Sequence, residues 1–164
     1  MAWARLLLAV SLPLYLLDQG TKALVLRNIS MVDCVRVVPG FFNIVQVHNT
    51  GAAFGMLTNN NVFFVALAGA ALILLAVLAK RGAFPPGPMR WGAALLVPGI
   101  LGNLTDRLLH GFVIDFLDVI LPWYGHWPAF NVADSCICVA AVLFLFSGFL
   151  PEKNAPNPQA RRGP

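Results

Sequence analysis

Apolar residues along this chain come in long blocks, and the polar residues gather where the blocks end. Four blocks stand out: about Trp3 to Leu26, interrupted by Asp18 and Lys22; Val62 to Ala79, with no charge; Trp91 to Leu109, polar only in its last two turns; and about Phe130 to Leu150, opening with Asn131 and Asp134. A helix of ~20 residues crosses the ~30 Å hydrocarbon core of a bilayer, so each block predicts a spanning helix. Between the first two, Val32 to Val38 and Phe41 to Val47 are rich in β-branched and aromatic residues and flank Pro39-Gly40, which predicts a small hairpin. Much of both its faces is apolar, so it should lie on the bilayer surface. Phe112 to Leu121 is a short apolar stretch carrying Asp115 and Asp118, too short to span. Trp123, Tyr124 and Trp127 follow it, as in an interfacial belt. The expected fold is a membrane α-helical one: four transmembrane helices, a small extracytoplasmic β-hairpin or sheet, and a short interfacial helix. Residues 1–150 form one such domain, and 151–164, rich in Pro, Asn and Arg, form a flexible tail.

Composition agrees. With 59% hydrophobic and 11% charged residues, the chain has too little polar surface to cover a water-soluble globule. Charge then sets the orientation. Arg5, Lys80, Arg81, Arg90, Lys153, Arg161 and Arg162 fall on one side of the predicted spans; Lys22, Arg27, Arg36 and Arg107 fall on the other. The excess of basic residues marks the cytoplasmic side and places both termini there. The net charge of +4 reflects this bias and gives no ground for nucleic-acid binding. A cleaved signal peptide is the alternative for the first block, but no small-residue cleavage site follows its apolar run, and Asp18 intervenes.

Acidic residues are distributed the opposite way. Asp18, Asp33, Asp106, Asp115, Asp118 and Asp134 all lie on the extracytoplasmic side, and of the seven acids only Glu152 lies opposite. Carboxylates close to lipid are costly, ~2.5–3.5 kcal/mol each at a helix centre, so their gathering calls for a function. Three cysteines give neither a disulfide framework nor a zinc spacing, and His48, His110 and His126 lack the spacing of a helical metal pair. No cofactor or metal is expected.

Five polar constellations carry the candidate chemistry. DQGTK (Asp18 to Lys22) ends the first block, and HNTGAAFG (His48 to Gly55) leads into the second. GNLTDRLLHG (Gly102 to Gly111) ends the third, VIDF (Val113 to Phe116) follows, and FNVADS (Phe130 to Ser135) opens the fourth. Each has a plain structural reading. Asp18 and Lys22 at i, i+4 form a helix-end pair; Asn131 and Asp134 form a helix cap; Asn103, Asp106 and Arg107 share a face that could hold a buried ion pair; Asn49 could simply make a turn. Their convergence at one depth and on one side favours a site. Asp115, between Ile114 and Phe116, should be pushed towards its neutral form by desolvation, while Asp134 lies near free N–H groups of a helix start, which favour a carboxylate. Two aspartates with separated titrations suit acid–base catalysis, and which one holds the proton stays open.

These motifs, in this order and spacing, resemble those of the lipoprotein signal peptidases, also called signal peptidase II or prolipoprotein signal peptidase. The resemblance runs from the first helix through the fourth, and includes the step of 19 positions from Asp115 to Asp134. Thr105, where an aliphatic residue is more usual, and Gly55, where Ser is common, depart from the pattern without touching the pair. The resemblance implies an intramembrane aspartyl endopeptidase of the bacterial inner (cytoplasmic) membrane. Its substrate would be a diacylglyceryl-modified prolipoprotein, cut just before the lipidated cysteine. Asp115 and Asp134 carry over as catalytic; Asn49, Asn103, Arg107 and Asn131 as residues that hold the substrate or position the pair; Asp18, Lys22 and Asp106 as supports. Membrane lipid would be a partner, and globomycin, the family's cyclic peptide antibiotic, an inhibitor. A small transporter or a non-catalytic lipid- or lipoprotein-binding membrane factor would also gather carboxylates near lipid. A transporter would string charges across the bilayer, whereas the second block is bare; the aspartate pair separates the binding factor from the enzyme.

Overall fold

The computed structural model describes residues 3–51 and 58–149. Residues 52–55 of the NTGAAFG stretch and the tail 151–164 lie outside the described residues, as does residue 150 at the end of the fourth block.

The first apolar block is helical throughout but not uniform: α1 (Trp3–Leu6), a π-helical turn (Leu7–Ser11) and α2 (Leu12–Asn28) run on from one another. Pro13 explains the break. It has no N–H to donate to the carbonyl four residues back, and the backbone widens by one residue just before it. α3 (Asn61–Lys80) and α4 (Pro88–Leu109) cover the second and third blocks, and α5 (Val132–Gly148) covers the fourth. In α3 the 18-residue apolar core has mean hydropathy 2.9 and 0% of it is buried. Apolar surface that the protein leaves uncovered to that degree belongs against lipid rather than water.

α4 is the central helix and packs most extensively on α5. Small residues make the approach close: Ala93, Ala94, Ala133 and Ala140 are fully buried. A side chain on Gly99 would meet Ile137 Cγ1 at 2.6 Å and the Ala133 carbonyl at 2.8 Å. In lipid, van der Waals fit of this kind holds helices together, since burial from water contributes little there. Pro98, buried within α4, cannot donate to the carbonyl of Ala94. Ser11 Oγ donates to that carbonyl instead, at 2.7 Å, so the hydroxyl of one helix completes the backbone bonding of another.

The hairpin forms where it was expected. β1 (Cys34–Val38) and β2 (Phe42–Asn49) pair antiparallel. Gly40, at φ 75°, takes the left-handed position after Pro39, and Phe41 N–H closes the turn on the Val38 carbonyl at 3.0 Å. The sheet is larger than a hairpin. β3 (Val113–Leu121) pairs antiparallel with β2, and β4 (Gly125–His126) pairs with β3, giving the order β1-β2-β3-β4. This corrects one expectation. Among the described residues no short interfacial helix forms; the short apolar stretch after α4 is a strand. Val113, Val119 and Ile120 are β-branched, and β2 offers a free edge whose backbone groups would otherwise lack partners.

Two features aim this sheet at the helices. Val25 of α2 packs with Ile114 and Phe116 of β3, flanked by Ile29, Ile44 and Val132. On the far side of β3, Leu117 and Phe130 exchange backbone hydrogen bonds of 2.8 and 3.1 Å, which brings the start of α5 against the strand. Asp118 accepts bonds from Asn43 at 2.8 Å and pairs with His126 at 2.8 Å, tying β2, β3 and β4 together away from the other acids.

Candidate active site

Asn131 is the hub of the candidate site. It is fully buried and is the N-cap of α5, accepting the Asp134 N–H at 2.8 Å on Oδ1. Asp134 returns the bond, its Oδ2 accepting from the Asn131 N–H at 3.1 Å, so the capping box expected from the sequence is present. The amide's other end does different work. Asn131 Nδ2 donates to Asp115 Oδ1 at 2.7 Å. One side chain therefore touches both aspartates and fixes the start of a helix relative to a strand.

Each aspartate has a second donor. Asn49, at the end of β2, donates from Nδ2 to Asp115 Oδ2 at 2.9 Å, and its Oδ1 accepts the Gly51 N–H at 3.0 Å. Asn103 of α4 donates to Asp134 Oδ1 at 2.7 Å and accepts from Asn131 Nδ2 at 3.1 Å. Burial of Asp115, 2% exposed in β3, pushes its carboxyl up from 3.8 to about 7, and the neighbouring Asp134 charge adds to the rise. The bonds from Asn49 and Asn131 work against both and moderate the shift. An acid with that value is poised to hold or release a proton near neutral pH.

Below the pair lies a buried ion cluster. Lys22 Nζ contacts Asp18 Oδ2 and Asp106 Oδ2, each at 2.8 Å, and donates to Asn103 Oδ1 at 3.1 Å. All three ammonium protons have an acceptor. Asp18 Oδ1 accepts the Ala133 N–H at 2.9 Å, and Asp106 Oδ2 accepts the Ile114 N–H at 3.1 Å. The cluster thus holds the residues next to Asp134 and Asp115. Gln19 joins it, with Nε2 donating to Asp18 Oδ2 at 3.1 Å, the Gly102 carbonyl at 3.2 Å and Asp106 Oδ1 at 3.3 Å. Sequence reasoning passed over Gln19, whose place one residue after Asp18 gave no spacing signal. Gly102 packs against this cluster, and an added Cβ would stand 2.5 Å from Asp18 Oδ2 and 2.9 Å from Ala133 Cβ. Asp18 is pinned and cannot yield. Gly102→Ala is expected to lower stability by ~1–3 kcal/mol, seen as a reduced melting temperature in detergent; an unchanged melting temperature would contradict this packing.

Arg107 borders the site from the other side. Its Nη2 donates to the Gly51 carbonyl at 2.7 Å and its guanidinium lies over the Phe64 ring, 4.2 Å from the centroid. Asn49, Asn103, Arg107 and Asp134 line a cavity of about 340 Å³, continued between α3 and α4 by Phe64, Leu67, Ala68, Ala71 and Leu104. Its walls are polar near Asp134 and apolar away from it. All nine residues singled out from the sequence are thus brought into one connected assembly.

The family model described as signal peptidase (SPase) II matches residues 10–150. The chain belongs to the signal peptidase II family. It is 40% identical over 153 residues to the lipoprotein signal peptidase of Syntrophotalea carbinolica, covering 90% of this chain and 92% of that one. It is also 40% identical to that of Solibacter usitatus, covering 88% and 90%. A solved bacterial membrane enzyme superposes with a TM-score of 0.82 at 29% identity, over 92% of this chain and 94% of the other. As a signal peptidase II, the chain is an aspartic peptidase and a membrane protein that removes signal peptides from prolipoproteins.

Proposed function

We propose that Asp115 and Asp134 are the catalytic pair with which this signal peptidase II cuts diacylglyceryl-prolipoproteins just before the lipidated cysteine. The observation that carries this reading is that Asn131 donates to both carboxylates beside a cavity, from its side-chain Nδ2 to Asp115 and from its backbone N–H to Asp134. Each aspartate receives two hydrogen-bond donors, so neither can turn away without leaving a buried amide unpaired.

A water held between the pair is deprotonated by the ionised partner and attacks the scissile carbonyl carbon. The neutral partner protonates the carbonyl oxygen as the tetrahedral intermediate forms. Collapse of that intermediate breaks the C–N bond, and a proton passes from the pair to the leaving amine, restoring one proton on two carboxylates. Asn49, Asn103 and Asn131 position the pair, and Arg107 holds the substrate backbone. Asp18, Lys22 and Asp106 support the assembly from below. The apolar part of the cavity suits the apolar side chains that precede the lipidated cysteine, and the acyl chains can remain in the bilayer.

The same reading places α2, α3, α4 and α5 across the inner membrane with both termini cytoplasmic and the sheet on the extracytoplasmic surface. The 17 residues of α5, at ~1.5 Å each, extend ~26 Å, a little short of the ~30 Å core, which sets Asp134 in its first turn at the edge of the hydrocarbon. Globomycin, as a cyclic peptide, would compete for the same cavity.

Activity should depend on pH with a definite sign. Asp115 carries its proton below about 7 and loses it above, so kcat should fall as pH rises through that value, when the pair loses its one shared proton. At lower pH the second carboxylate becomes protonated and activity falls again. Cleavage of a diacylated prolipoprotein in lipid, followed from pH 4 to 10, would trace a bell; a rate flat from about pH 6 to 9 would remove the shared-proton mechanism.

A further inference from the structure

Two buried polar atoms, one on the cavity-lining Arg107 and one on Asn61 beyond it, have no hydrogen-bond partner among the described residues: Arg107 Nη1 and Asn61 Oδ1. The first is a donor and the second an acceptor. They belong to residues in contact, because Asn61 Nδ2 donates to the backbone carbonyl of Arg107 at 3.0 Å. That bond also fixes which edge of the Asn61 amide is left open. Arg107 is only 8% exposed, and its contacts with Gly51 and Phe64 prevent it from turning to another partner. Leaving a buried polar group unpaired costs about 1–3 kcal/mol, so two on touching residues call for an explanation.

Their placement supplies one. Asn61, Phe64, Ala68 and Ala71 follow each other at helical spacing along one face of α3, and the last three line the cavity. Asn61 stands one turn further out on that face. An extended peptide presents alternate N–H and C=O groups along each edge, so an unpaired acceptor and an unpaired donor on two touching residues can meet one stretch of such an edge.

We infer that Asn61 is a substrate-binding residue: its Oδ1 accepts a backbone N–H of the prolipoprotein near the scissile bond, while Arg107 Nη1 donates to a neighbouring backbone carbonyl. This rests on the endopeptidase reading above and adds a contact made by a residue outside the motifs that define the site. The pair selects for extended backbone irrespective of side chain, which suits a peptidase that must accept many sequences around one lipidated cysteine.

Synthetic diacylated peptides test it, with each amide N–H near the scissile bond replaced in turn by an ester oxygen. For the wild-type protein, one replacement should lower kcat/KM about tenfold. Asn61→Ala should lose a similar factor on the all-amide peptide, mainly through KM, and should lose nothing further with that ester. Asn61→Asp keeps the acceptor and gives up the bond to the Arg107 carbonyl, so it should stay sensitive to the same ester; this separates substrate binding from a tether between helices. Losses that multiply at every ester position, or an Asn61→Asp protein that has become insensitive, would overturn the assignment of Asn61. Failure of the wild-type protein to cut the all-amide peptide would instead overturn the endopeptidase reading beneath it.

Discussion

Asp115→Asn and Asp134→Asn are each expected to lower cleavage of a diacylated prolipoprotein by ~10⁴-fold, with the fold intact. Each substitution removes a carboxylate that must alternately hold and release a proton, and steps of that kind contribute ~10²–10⁴ in rate each. Asparagine keeps an oxygen for one of the two donors and turns its NH2 to the other (Asn131 or Asn49; Asn131 or Asn103), a local cost of about 1–3 kcal/mol that leaves the rest of the network in place. Because the two groups act as one unit, the double variant should be scarcely worse than either single one. Single-turnover cleavage by purified protein, with melting temperature as the control, checks this. Wild-type rates from both variants would leave the aspartates without a catalytic role.

Lys22→Met should produce the largest loss of stability, ~3–5 kcal/mol. Lys22 is 2% exposed and neutralises Asp18 and Asp106, each 1% exposed. Methionine fills similar volume but strands two buried carboxylates face to face, and they must take up protons or force the helices apart. Activity should fall as well, because Asn103, which loses the Lys22 contact, is what holds Asp134. Replacing all three members with apolar residues should recover much of the stability and little of the activity. Thermal unfolding in detergent separates the cases; a Lys22→Met protein as stable as wild type would mean the cluster contributes nothing to the fold.

The sequence reveals the helices readily because a bilayer imposes a length and an apolarity that few other environments demand. It reveals the site because polar residues at the ends of such helices are conspicuous. Which groups pair is far less visible. The shared face of Asn103, Asp106 and Arg107 suggested either an ion pair or a site, and it is divided between the two. Asp106 pairs with Lys22 on another helix, while Asn103 and Arg107 line the cavity. The strand from Val113 to Leu121 was the least legible element. It is apolar on both faces and interrupted by two acids, and its partner β2 lies more than sixty residues earlier in the chain, so no local pattern announces it. Asn61, at the start of α3, and Gln19, midway along α2, look ordinary in sequence, since a lone helical amide carries no spacing signal.

The Ser11 hydroxyl that caps the Ala94 carbonyl has a consequence for biogenesis. A proline-interrupted segment released alone into lipid carries a bare carbonyl that no lipid tail can satisfy. On the proposed reading that α4 spans the bilayer, its Ala94 carbonyl is satisfied only once the N-terminal helix lies alongside it. On that reading, pairing of the two helices, and not insertion alone, completes the backbone bonding of α4.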